Sequence, residues 1–123
     1  LFDNCKSLKT VRWSSNLPIR VNTTNYYSNV FTECSNLETI ENYPTTGSII
    51  PPYNWYGCSK LDISQFYPLL QKATTLGERC IKGTNVTNLP QDLIFYNCTS
   101  LENYAFSGVG RRKIFAPKLT TMT

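Results

Sequence analysis

Four times along this 123-residue chain an aromatic residue is followed three places later by cysteine and three places after that by leucine. The copies are Phe2, Cys5, Leu8; Phe31, Cys34, Leu37; Trp55, Cys58, Leu61; and Phe95, Cys98, Leu101. Starts at 2, 31, 55 and 95 are separated by 29, 24 and 40 residues. Periods of 20–30 residues belong to chains that fold by stacking, because one unit cannot bury its apolar wedge alone. The long step predicts a degenerate unit, and Cys80–Pro90 supplies one, with Ile81 in place of the ring and Val86 and Leu89 as the apolar pair. Phe106-Ser107-Gly108 opens a weaker version, with Ile114, Pro117 and Leu119 downstream. The expectation is one domain over 1–123, built of five to six irregular repeats starting near 2, 31, 55, 81, 95 and 106.

Each unit reads as a turn or short helical piece followed by a short extended stretch. Ring and thiol are three residues apart and share one face of a helical turn. The leucine opens a strand, and stacked strands then pair in parallel about 4.8 Å apart. Cysteine suits a tight inward corner, being small and among the most buried residue types. The fold class expected is an α/β solenoid of stacked repeats. It has a parallel β-sheet on one face, with short helices, turns and irregular segments on the other. Two stretches depart from the pattern. Residues 41–54, with Pro44, Gly47, Pro51 and Pro52, read as an elongated loop. Leu61-Asp62-Ile63 reads as a strand leading into a helix, since Ile63, Phe66, Leu69, Leu70 and Ala73 have helical spacing and Pro68 suits a first turn.

The run Gly83-Thr84-Asn85-Val86-Thr87-Asn88-Leu89, leading into Phe95-Tyr96-Asn97-Cys98-Thr99-Ser100-Leu101, resembles the BspA-type leucine-rich repeats of bacterial surface proteins. The resemblance covers most of residues 1–106. It implies a secreted or cell-surface module for binding or adhesion, with a protein or glycan as ligand. Neither end carries an obvious polar cap, which leads to the expectation of a section cut from a longer array.

Composition narrows the chemistry. There is no histidine, so Cys–His and Ser–His–Asp schemes are excluded. Five cysteines cannot all pair within the chain, and the absence of a CxxC pair removes the usual zinc signature. Buried free thiols are the expected state, with no metal and no cofactor. A net charge of +4 is too mild a basic bias to argue for nucleic acid. No run of 18 apolar residues is present, so no membrane insertion is expected. The chain is therefore read as non-enzymatic. Two alternatives stand beside a binding module: a structural spacer or virion component, and a glycan-acting enzyme with its site in the 41–80 insertions.

Alternation along the strands selects the binding surface. With Leu8 and Val11 inward, Thr10 and Arg12 face out; the same alignment turns Thr39 and Glu41, Ser64, then Asn103 and Ala105 outward. Thr10, Arg12, Thr39, Glu41, Ser64 and Asn103 thus form the expected polar row. The loop tyrosines Tyr26, Tyr27 and Tyr53 and the basic cluster Arg111, Arg112 and Lys113 are secondary candidates.

Overall fold

The computed structural model describes residues 2–13, 31–43 and 49–123. Tyr26 and Tyr27, and the loop residues Pro44 and Gly47, lie outside them.

The ring-thiol-leucine motif folds as two consecutive tight turns. In the first copy Cys5 N–H donates to the Phe2 carbonyl at 3.2 Å and Leu8 N–H to the Cys5 carbonyl at 3.1 Å; the second and third copies repeat both bonds. The residue just before each cysteine has a left-handed backbone: Asn4 (φ 59°), Glu33 (φ 61°) and Gly57 (φ 76°). This reversal aims ring and thiol inward without a full helical turn, which is where the structure differs from the expected helical piece.

The corners then stack. Asn4 N–H donates to the Thr32 carbonyl at 2.7 Å, Glu33 N–H to Tyr56 at 2.6 Å, and Gly57 N–H to Lys82 at 2.9 Å. Left-handed Gly83 and Gly108 continue the column, each backbone lying against the one before. From 4 to 33, 57, 83 and 108 the steps are 29, 24, 26 and 25 residues. Gly77 marks another close approach. A Cβ there would sit 2.5 Å from the Pro51 carbonyl carbon and 2.6 Å from the Ile50 oxygen, so only glycine lets these neighbouring backbones meet.

Strands two or three residues long leave the corners, and among the described residues every strand pairing is parallel. β1 (Thr10–Arg12) pairs with β2 (Thr39–Glu41), placing Thr10 beside Thr39, Val11 beside Ile40 and Arg12 beside Glu41. β3 (Ile49–Ile50), β4 (Thr75–Leu76), β6 (Ser100–Leu101) and β8 (Thr121–Met122) form a four-stranded sheet in that order. β5 (Asp92–Ile94) pairs with β7 (Lys113–Phe115). The fold is a parallel-strand β-solenoid. Its helical content among the described residues is one 3-10 turn, Ile63–Phe66, running into α1, Tyr67–Lys72.

The spacing argument for that segment holds: Ile63, Phe66, Leu69, Leu70 and Ala73 are all buried, and Pro68 lies in the first turn of α1. Residues 41–54 are not a single loop, because the β-branched pair Ile49-Ile50 adds a strand to the larger sheet. The fourth copy of the motif also differs. Phe95–Leu101 leads into β6 of the four-stranded sheet, whereas the first two copies lead into β1 and β2. Asp92-Leu93-Ile94 already fills the strand after the Gly83 corner, so the motif turns the next corner of the same coil.

Rings fill the interior. Phe2 stacks on Phe31 (5.5 Å between centroids), Trp55 on Phe66 (4.9 Å) and Phe95 on Phe106 (4.9 Å), with Tyr43 wedged between Phe31 and Trp55. Leu37, Leu61, Leu76 and Leu93 form the aliphatic side of the same core.

Candidate functional site

The outward row begins as alternation dictates. Val11 and Ile40 are buried, while Thr10, Arg12 and Thr39 are exposed and Glu41 is half-exposed. Register sets Arg12 against Glu41, and its Nε donates to Glu41 Oε2 at 2.7 Å. That bond is the main reason the Arg12 guanidinium pKa is raised further. With Arg12's side chain 78% exposed, the pair lends little stability. Its residues are held in place but not used to hold the fold.

The row does not continue. Ser64 lies in the 3-10 turn, not a strand, and its Oγ donates to Asp62 Oδ1 at 2.6 Å. Asp62 caps that turn through Ser64 N–H and also accepts from Asn88 at 2.7 Å; these bonds hold its carboxyl below its usual range. Asn103 is exposed, but on the turn after β6. Ala105, expected to face outward beside it, is buried. The cause is the fourth motif's position at a different corner. Thr10, Arg12, Thr39 and Glu41 are therefore brought together, and Ser64 and Asn103 are placed elsewhere.

The basic cluster divides as well. Arg111 and Lys113 are exposed. Arg112 is not free for a ligand: its guanidinium donates to the carbonyls of Val86 (2.8 Å), Val109 (2.9 Å), Pro90 (3.1 Å) and Leu89 (3.4 Å). It ties two coils together through a planar fork that lysine lacks.

Tyr53 belongs to a group that sequence reasoning only touched. Tyr53 (φ 56°), Arg79 (φ 46°) and Tyr104 (φ 59°) form a second left-handed column, each four residues before a left-handed glycine. The Tyr53 hydroxyl donates to Glu78 Oε1 at 3.1 Å and accepts from Arg79 Nη1 at 3.0 Å. The Arg79 guanidinium carbon lies 4.6 Å from the centre of the Tyr104 ring, and Tyr56 meets Tyr53 edge to face at 5.4 Å. Arg79, Glu78 and Tyr56 match no motif, and the alternation that turns Asn103 and Ala105 outward would turn Tyr104 inward, whereas Tyr104 is exposed and Ala105 buried. The signal was present in spacing: 53, 79 and 104 differ by 26 and 25, the steps of the glycine column. A further feature is an open groove of about 580 Å³ lined by Asp92, Ile94, Tyr96, Ile114, Phe115, Ala116 and Pro117, outside the 41–80 segment.

The thiols have a packing role. Cys34 Sγ donates to the Phe2 carbonyl at 2.8 Å and Cys58 Sγ to the Phe31 carbonyl at 2.9 Å, each reaching the preceding coil. Cys5, expected in the buried column, is exposed, since no described coil precedes it. Burial pushes the thiols of Cys58 and Cys80 up to about 12 and those of Cys34 and Cys98 upward as well. Native protein is expected to react with maleimide at Cys5 alone, and all five thiols after denaturation; mass spectrometry counts the adducts. Because the folded pKa values lie above the ordinary 9.0, the unfolded chain ionises first. The stability lent by these thiols is complete below about pH 9 and is lost as pH rises toward 12, which urea titrations across that window would record.

No helix among the described residues is long and apolar enough to cross a membrane. The family model of the BspA type leucine-rich repeat region matches residues 1–113 in six copies. No curated protein and no solved structure matches the chain.

Proposed function

Because the chain belongs to the BspA-type leucine-rich repeat family, we propose that it is a non-catalytic module of a secreted or cell-surface protein. It binds a protein or glycan ligand through the outer face of β1 and β2. The observation that carries this reading is the exposed quartet Thr10, Arg12, Thr39 and Glu41, held in register over the buried pair Val11 and Ile40. These side chains offer donors, acceptors and both charge signs on a rigid parallel ladder, and they do no packing. Open faces of solenoids serve as extended binding surfaces. A non-catalytic role agrees with a chain that has no histidine and whose buried thiols are held protonated.

The test is a screen of immobilised extracellular-matrix proteins and a glycan array, run with the native protein and an Arg12→Ala/Glu41→Ala double variant. The native protein is expected to bind at least one probe. The variant should keep its melting temperature and bind that probe at least about tenfold more weakly. Equal binding by both proteins, or none by the native one, overturns the proposal.

A further inference from the structure

We propose that the corner carrying Tyr53, Tyr56, Arg79 and Tyr104 binds a proline-rich segment in the polyproline II conformation, laid along the direction in which the coils stack. This surface is separate from the β1–β2 face, and the inference does not depend on that reading.

The first observation is conformational. Glycine occupies three positions of one left-handed column, Gly57, Gly83 and Gly108. In the adjacent column the chain keeps Tyr53, Arg79 and Tyr104, large residues for which a left-handed backbone is costly. Strain of this kind collects at ligand sites, where the side chain is needed and the backbone gives way.

The second is chemical. Arg79 is anchored through Nη1 by the Tyr53 hydroxyl and Glu78, and its guanidinium lies over Tyr104, whose residue is 64% exposed. Glu102 Oε2 accepts from Glu78 N–H at 3.0 Å and fixes the backbone beneath. The result is a prearranged surface of flat groups: two tyrosine rings with a guanidinium between them. A polyproline II helix makes no internal hydrogen bonds, so its carbonyls are open to the Tyr104 hydroxyl and to the Arg79 N–H groups not taken by Tyr53 and Glu78, while the Tyr53 ring offers its apolar surface. Aromatic-lined surfaces are how folded domains take up such segments. Arg79 offsets Glu78, and the second carboxylate, Glu102, favours a basic residue beside the prolines.

The third is metric. Arg79 lies one coil from Tyr53 and one from Tyr104, so the two tyrosines are two coil spacings apart, about 9.6 Å. Three residues of polyproline II rise about 9.3 Å. Prolines at positions i and i+3, on the same side of the helix, therefore meet the two tyrosines in step.

Decaproline is the probe, with a Gly/Ser decapeptide and cellohexaose as comparators, each titrated into the full chain. Decaproline is expected to bind saturably below about 1 mM, and the Gly/Ser peptide not to bind. Chemical-shift mapping of the tyrosine ring resonances of the native protein should report contact at the Tyr53 and Tyr104 rings. Tyr104→Gly removes a ring and relaxes its backbone, so it should fold with an unchanged or higher melting temperature and bind about tenfold more weakly. Arg12→Ala/Glu41→Ala should bind decaproline as the native protein does. Absence of saturation, contacts away from these rings, undiminished binding by folded Tyr104→Gly, or binding of cellohexaose in preference to decaproline would each overturn the proposal.

Discussion

Replacing Trp55 with alanine is expected to cost about 3–5 kcal/mol of folding stability. Trp55 is fully buried, stacks on Phe66 at 4.9 Å with ring planes 9° apart, and touches Tyr43 at 5.6 Å. It joins the turn at its own corner to the segment containing α1 and to the ring row of the previous coil. Alanine leaves a void among residues that belong to three backbone segments, which cannot all close in. Domains of this size hold about 5–15 kcal/mol in total, so the variant should populate unfolded chain well below the native midpoint in urea. Trp55→Phe keeps most of the stacking and should recover a large part of the loss. A Trp55→Ala cost below about 1 kcal/mol would mean that the ring column is not the core.

Leu37→Ala comes next, at about 2–5 kcal/mol. Leu37 is fully buried at the end of its double turn, two residues before β2 begins. Glu41, four residues along the same coil, faces outward, and Glu41→Gln should change stability by no more than about 0.5 kcal/mol. Leu8 occupies the matching place in the first described coil but is only half-buried, so Leu8→Ala should fall between the two. Chemical denaturation of the three variants checks the order. Equal losses at Leu37 and Glu41 would reverse the assignment of inner and outer faces.

Much of this arrangement is legible in residue spacing. The ring-thiol-leucine triplets identify the stacking unit because their geometry is local: two tight turns and a strand follow from seven residues. The helical segment at 63–73 is readable for the same reason, its five apolar residues all landing inside. What spacing cannot reveal is azimuth. Phe95-Cys98-Leu101 has the same triplet as Phe31-Cys34-Leu37, yet it rounds a different corner, because the strand Asp92–Ile94 has already filled the place after Gly83. That single displacement moves Asn103 off the strand face and buries Ala105. Charge clusters mislead in a related way. Arg112 reads as part of a basic patch, but four backbone carbonyls of short turns claim its guanidinium. The Tyr53–Arg79–Tyr104 column escapes motif reading because its residue types differ; only the backbone conformation unites them.

The thiol bonds of Cys34 and Cys58 run in one direction, each reaching back to the turn that precedes it. These corners therefore donate a thiol backward while the backbone N–H of Glu33 and Gly57 donates forward to the next coil. Coils that share this corner can follow one another without redesign of the joint. An in-frame duplication or loss of one period would leave such joints intact, and because the same bonds form across steps of 29 and 24 residues, a few residues gained or lost between corners are absorbed there. Genes for chains of this kind are thus free to drift in the number of their coils and in the length between corners, while being held to the seven residues that build each corner.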